Sequence, residues 1–328
     1  MPKPITVVVT YTASTEEIHS AVALLNETIL AEVERDAPPD DKFYVAMDLE
    51  GVSLGREPGT LEIITLAIGS NPSHIFVIDA KCALTTHPGE LFFSVHQKKD
   101  AKGGRTVFDL DEAIYHILTS LIHDERCVTV MHDCRQDCDA MWHHLGYKPR
   151  CVHDTSVAHG VLTGYQGAKL NDTLEYWDQP LNHNRGTVNY NDEPDFWANR
   201  PLTRKMVDYA RGDVCSLVPM ALQQIEVANA KSQLTEVQEK SEVNRDCMLK
   251  MGMEWLQCHM KMGEFIGFGG SNVREMSMIT GCFFYGKGTQ EERKNGFWVY
   301  YPNDDSLLLA KFVLGWDVPV CDPSIIFR

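Results

Sequence analysis

"YVAMDLEGV", residues 44–52, sets two carboxylates, Asp48 and Glu50, into a run that also carries Tyr44, Val45, Ala46, Met47 and Val52. Such a run reads as a strand, and a spacing of two on a strand puts both side chains on one face. Two like charges side by side repel, and taking them out of water costs on the order of several kcal/mol unless something positive sits between them. Two explanations are open at this point: an edge strand with its polar face in water, or a metal site. The rest of the chain has to separate them.

At 328 residues and 44% hydrophobic, the chain can bury a full core, and its length suggests two domains. It holds no 18-residue apolar run, so no transmembrane helix and no membrane partner are expected. The start, "MPKPITVVVTYTASTEEIHSA", reads as a strand and a helix rather than a signal peptide. Ten cysteines are scattered without CxxC pairs and are expected to be reduced thiols, many of them buried. Cytoplasmic or nuclear residence is the corresponding expectation. The net charge of −16 argues against a protein that coats nucleic acid through its overall charge. It does not exclude a nucleic-acid enzyme, because metals can neutralise an acidic site locally. From Lys240 to Lys311 there are nine Lys/Arg and nine Asp/Glu, so the excess acid lies mainly in the first 240 residues.

Strands are expected at "ITVVVTY" (5–11), "FYVAMDLE" (43–50), "LEIITLAIG" (61–69) and "HIFVIDA" (74–80), the last three as a meander because their connections are short. "DAPPDD" (36–41) is a loop. "LDEAIYHILTSLIHD" reads as a helix, "CVTVMH" as a buried strand, and "QDCDAMWHHLG" as a helix closed by Gly146. "CVHDTSVAHGVLTG" reads as a short strand turning into a helix, and "NHNRGTVNYNDEPDFW" as polar and irregular. A long helical stretch from Leu202 to Gln233 is expected to break near Pro219. Meander strands followed by alternating helices and strands indicate an α/β domain with a mixed sheet over 1–225. Residues 226–249 read as a helical linker, and 250–328 as an aromatic, glycine-rich second domain.

A two-metal phosphodiester hydrolase needs three or four carboxylates converging from separate elements. "MHDCRQDCDAMWHHLG" offers Asp133, Asp137 and Asp139. On a helix Asp133 and Asp137 share a face, and Asp133 stands where a helix cap would. "VDYARGDVCSL" places Tyr209 and Asp213 four apart on one helical face, where a phenol could orient a water beside a metal-ligating carboxylate. Each helical aspartate taken singly is equally well a solvated face.

Together "DLE", "HDCRQD" and "YARGD" resemble the three exonuclease motifs of the DEDD superfamily, in the subclass with tyrosine in the third motif. The wider pattern resembles the ribonuclease D-like 3′–5′ exonuclease domain, through "PGTLEIITLAIG", "DTSVAHGVL", "LNDTLEYW" and "FWANRPLT". The spelling "DLEGVSLGREPGTLEIITLA" with "MHDCRQDCDA" is closest to the Exd1-like branch. The resemblance implies an RNase H-like mixed sheet flanked by helices, with Asp48, Glu50, Asp137 and Asp213 as ligands of two Mg²⁺ or Mn²⁺ ions. It makes Tyr209 the residue that positions the attacking water. It selects Asp137 over Asp133 and Asp139, because the motif's aspartate follows the histidine by five residues. His132, Arg135 and Arg200 are candidate substrate contacts. Exd1-like relatives form dimers, so a homodimer is an expectation. Some have lost acidic residues and serve as adaptors, whereas this chain keeps all four acids and the tyrosine.

"FIGFGGSNVREMSMITGCFFYGKG" (265–288) and "GFWVYYPNDDSLLLAKFVLG" (296–315) resemble a KH domain, over roughly residues 250 to 316. There a GxxG loop between two helices grips about four nucleotides of a single strand. The resemblance nominates Gly267, Phe268, Gly269, Gly270 and Arg274 as nucleic-acid contacts. Its loop lacks the usual Lys or Arg, and no opening strand is evident before Gly263. The aromatics of "FFY" and "FWVYY" are expected in the core. The expected activity is 3′–5′ exonucleolytic hydrolysis of single-stranded RNA to nucleoside 5′-monophosphates. A DNA exonuclease and a non-catalytic RNA-binding adaptor are the alternatives.

Overall fold

The computed structural model describes residues 4–9, 15–34, 42–80, 110–190, 192–286 and 290–316. They divide into two compact units, 1–245 and 246–328. The expected loop at 36–41 and residues 10–11 of the first strand lie outside the described residues.

The first unit is built on a six-stranded sheet of β1 (Ile5–Val9), β2 (Phe43–Glu50), β3 (Ile63–Ile68), β4 (His74–Asp79), β5 (Cys127–Met131) and β6 (Cys151–Asp154), in the order β1-β4-β3-β2-β5-β6. β2, β3 and β4 form the antiparallel meander, while β5 runs parallel to β2, and β6 to β5. The result is the mixed α/β architecture expected. β2 lies inside the sheet, between β3 and β5. The edge-strand explanation of its two carboxylates is therefore excluded.

Alternation along β2 sorts its side chains into two layers. Val45, Met47 and Leu49 pack with α1 (Thr15–Glu34) and α2 (Leu110–His123), through Leu25, Leu118 and Ile122 among others. Ala46 packs on the opposite face against α5 (Leu170–Tyr176) and α7 (Leu217–Ala230). By the same alternation Asp48 and Glu50 belong to the Ala46 side. α3 (Arg135–Ala140) continues as a π turn, Met141–Leu145, closed by Gly146 at φ 76°. α4 (Thr155–Thr163) is capped by Asp154, whose carboxylate accepts from the amides of Ser156 and Val157.

The long helical stretch breaks at Cys215–Ser216, between α6 (Arg204–Val214) and α7, three residues before Pro219. Pro219 falls in the first turn of α7, where the amide it lacks is not needed. The segment from 234 forms α8 (Leu234–Cys247), with Val237 and Ser241 fully buried. From it the Ser241 hydroxyl accepts from the Asp154 amide at 3.2 Å, and the Asn244 amide group donates to the Asp154 carboxylate at 2.6 Å.

In the second unit β7 (Gly252–Gln257), α9 (Met262–Ile266), α10 (Ser271–Thr280), β8 (Phe283–Tyr285), α11 (Gln290–Asn295), β9 (Gly296–Tyr301) and α12 (Asp304–Val313) follow in chain order. The strands form an antiparallel sheet ordered β7-β9-β8. β7 is the opening strand that the sequence hid: "GMEWLQ" has neither clean alternation nor a continuous apolar run. The short helix α11 runs directly into β9. Of the aromatic stretches expected in the core, Phe284, Phe297 and Tyr300 are buried, whereas Phe283, Tyr285, Trp298 and Tyr301 are half-buried.

Candidate active site

β5 ends at Met131, so among the described residues the last residues of β2 pair with β3 alone. The freed backbone is taken by a side chain: the Leu49 amide donates to Asp137 Oδ1 at 3.1 Å. Asp137 thus reaches β2 from the first turn of α3. Asp133 lies before that helix at φ 57°, and Cys134 is the cap residue, without a side-chain bond. The expected capping role of Asp133 is therefore not realised; its carboxylate instead pairs with Arg135 at 2.5 Å. Asp139 is fully buried against Arg56, at 2.6 Å.

α6 is capped by Thr203, whose hydroxyl accepts from the Met206 amide. Its buried face carries Tyr209 and Asp213. Asp48, Glu50 and Asp213 each bring a carboxylate oxygen within 4.8 Å of the others. They meet at the carboxyl-terminal end of β2, past the last residue it pairs with β5, in the usual crevice of an open α/β sheet. A cleft of about 350 Å³ opens there, with Asp48, Glu50, Asp137, Tyr209, His132, Lys169 and Arg185 among its lining.

Burial, together with the charges of Asp213 and Asp137, raises the Asp48 carboxyl well above its ordinary range. Glu50 is raised for the same reason, with Asp48 and Asp213 as the repelling charges. Asp137 is pushed up to about 7 by burial, against the opposing pull of the Leu49 amide. The Tyr209 phenol is raised by burial and by Glu50. Asp48 Oδ2 is buried without a hydrogen-bond partner among the described residues. A cluster of carboxylates that resists ionisation, with one orphaned oxygen, is short of positive charge. Its all-oxygen donor set fits hard divalent cations such as Mg²⁺ or Mn²⁺.

The positive group in the cluster is one that sequence reasoning missed. Arg185 holds both oxygens of Asp213, Nε to Oδ1 at 2.7 Å and Nη2 to Oδ2 at 2.9 Å. Its guanidinium carbon also lies 5.9 Å from the centre of the Tyr209 ring. Asn182, likewise unforeseen, donates to Asp213 Oδ1 at 2.8 Å and to the Tyr209 carbonyl at 3.0 Å. A Cβ on Gly212 would come within 2.4 Å of the Asn182 side chain, so the glycine of "YARGD" makes room for that contact. Both residues sit in the irregular stretch before α6, where no periodicity marks a position.

His132 lines the cleft with its ring fixed: Nε2 is 3.1 Å from the Ala168 carbonyl and Nδ1 is 2.9 Å from the Thr155 hydroxyl. Burial lowers its pKa, so it is neutral, and a carbonyl partner places its proton on Nε2. Arg200 does not line this cleft. Its guanidinium bonds Asp79 at 2.6 and 3.0 Å and also reaches Glu62 and the Trp197 carbonyl, tying β4 to the chain ahead of α6. Arg135, paired with Asp133, is not among the lining either.

In the second unit Gly267, Gly269 and Gly270 have φ of 71°, 57° and 80°, a backbone path open to glycine at little cost. Phe268 at its tip is 99% exposed, and Arg274 donates to the Gly269 carbonyl at 2.8 Å.

A model of the 3′–5′ exonuclease family matches residues 22–225. Ribonuclease D of Nitrobacter hamburgensis is 36% identical over 99 residues, 30% of this chain and 24% of that protein. Ribonuclease D of Zymomonas mobilis is 31% identical over 109 residues, 32% of this chain and 26% of that protein. The matches therefore span about a quarter of these curated relatives' length. Among solved structures, Trypanosoma brucei RNase D shares the fold with a TM-score of 0.52 at 17% identity, covering 74% of this chain and 72% of that one.

Proposed function

We propose, since the chain belongs to the 3′–5′ exonuclease family, that it is a metal-dependent hydrolase that removes nucleotides from the 3′ end of single-stranded RNA as nucleoside 5′-monophosphates. One observation carries this: Asp48 and Glu50 from a central strand and Asp213 from a helix converge within 4.8 Å at the floor of an open cleft. With Asp137 they would hold two divalent ions. Bound there, the ions would lower the pKa of a water and stabilise negative charge at phosphorus and on the leaving 3′ oxygen.

The remaining work falls to the chain's own groups. The Leu49 amide orients Asp137, and the Asn182 amide fixes the distance between Asp213 and the turn bearing Tyr209. Tyr209, kept protonated by burial and by Glu50, positions the attacking water by a hydrogen bond rather than by taking its proton. The neutral His132 and Lys169 line the path of the strand. RNA as substrate is supported by the ribonuclease D relatives.

The first unit we place in the Exd1-like branch, and the C-terminal unit we assign to a KH-like accessory module that binds single strands. Its helix–glycine turn–helix and its β7-β9-β8 sheet support that, and Gly267 to Gly270 with Arg274 would contact the backbone. Homodimerisation is part of the same proposal, and light scattering of the full chain tests it.

The deciding experiment is a time course on 5′-labelled RNA and DNA single strands with Mg²⁺, Mn²⁺ or EDTA, alongside Asp48→Ala. The proposal expects a 3′-end ladder that needs metal and vanishes in the variant. A stronger ladder on DNA would reassign the substrate. Retained RNA binding with no ladder under any metal would make the chain an adaptor.

A further inference from the structure

Arg185 holds Asp213 in a way that conflicts with the work proposed for that carboxylate. The Asp213 side chain is fully buried, and its Oδ1 already accepts from both Asn182 and Arg185 Nε. Oδ2 accepts from Arg185 Nη2, so the guanidinium fork spans the carboxylate edge. A divalent cation drawing on Asp213 together with Asp48 and Glu50 would have to share this carboxylate with a like charge. Arg185 is the positive group set beside these carboxylates: its fork sits on Asp213, and it lines the cleft together with Asp48 and Glu50.

The surroundings allow the fork to leave while the backbone stays. Asn182 and Asn184, both just ahead of Arg185, tie the segment to α6 by donating to the Tyr209 carbonyl at 3.0 Å and the Asp208 carbonyl at 3.1 Å. Gly186, next in the chain, sits at φ 82° with nothing near its Cβ position. The Arg185 side chain is 34% exposed and lines the open cleft together with Lys169. A guanidinium released there would face a phosphate with the same bidentate geometry it offers a carboxylate.

We propose that Arg185 is an exchangeable counterion: it neutralises Asp213 until divalent cations load the carboxylates, then swings into the cleft and clamps the phosphate of the bound nucleotide. The inference rests on the metal-dependent reading above. Arg185 is then a residue of two states, one opposing cation binding and one favouring phosphate binding.

The test uses the full-length protein and three measurements without turnover. Mn²⁺ affinity is read by calorimetry in the wild type, Arg185→Gln and Arg185→Lys. Adenosine 5′-monophosphate affinity is read with saturating Mn²⁺. The melting temperature is read in EDTA and in Mn²⁺. Exchange predicts Mn²⁺ binding at least about fivefold tighter in R185Q and nucleotide binding weaker by about tenfold, the usual size of a coupling between two ligands. R185K, which keeps the charge but cannot span both oxygens, should fall between for Mn²⁺. The loss of melting temperature in R185Q seen in EDTA should disappear in Mn²⁺, because the ion pair is already open there. Unchanged or weaker Mn²⁺ binding in R185Q, or a destabilisation that persists undiminished in Mn²⁺, overturns the proposal and makes the ion pair purely structural. Absence of Mn²⁺ binding in the wild type refutes the metal site itself, a different failure.

Discussion

Among the described residues, the cleft of the first unit and the glycine turn of the second both depart from ordinary packing, and they do so in opposite ways. In the cleft, charge is buried: Asp48, Glu50 and Asp137 are all held above their ordinary pKa. At the turn, an apolar ring is exposed: Phe268 stands in solvent on a glycine backbone. The first arrangement stores electrostatic repulsion that a cation would relieve. The second stores nothing, and offers a contact surface at little cost in stability. Catalytic groups need a dry, fixed setting, whereas a strand-binding tip needs access.

That contrast breaks most readily at Asp48. Asp48→Asn should lower exonuclease activity by at least about a thousandfold, and yet raise the melting temperature in EDTA, because it removes one of the repelling charges. Equal destabilisation in EDTA and in Mn²⁺ would show that the carboxylate is structural.

The pH dependence comes next. Asp137 has its folded pKa raised from near 3.8 to about 7, so the native state holds the proton more tightly than the unfolded chain. Its contribution is full below about pH 4 and is lost as pH rises through about 7. In EDTA the wild type should therefore lose stability across that window, with Asp48 and Glu50 adding in the same direction. Asp137→Asn should flatten the curve, and saturating Mn²⁺ should do the same.

A smaller effect is expected from Gly212→Ala, which forces Asn182 off Asp213 and Tyr209. It should cost about 2 kcal/mol in denaturant unfolding and lower activity. Smallest is Phe268→Ala: unfolding should shift by under about 0.5 kcal/mol, while oligonucleotide binding weakens by about 1 kcal/mol. A Phe268→Ala variant that unfolds early would show the ring packs in solution, and the contrast between the two regions would fail.

Most strands and helices of the first unit were legible because their apolar residues recur with the period of the element that buries them. β2, β3 and β4 read as a meander from pattern and connection length alone. "GMEWLQ" was not legible as β7, since it lacks a clean period. Asp133 was misplaced as a cap because spacing cannot reveal that its backbone turns left-handed just before the helix.

What the sequence determined by itself was the inventory: two carboxylates on one strand face, an aspartate after "MHDCRQ", and a tyrosine and aspartate four apart on a helix. Local periodicity dictates these, because strand and helix geometry fix which side chains share a face. What only the tertiary structure decided was the closure of the site. The end of β5 at Met131 exposes the Leu49 amide to Asp137, α6 brings Asp213 to β2, and an irregular segment delivers Asn182 and Arg185. These are long-range pairings whose partners lie tens of residues apart, and no local rule of the chain encodes them. They form because a buried carboxylate must find a donor, and folding decides which donor is within reach.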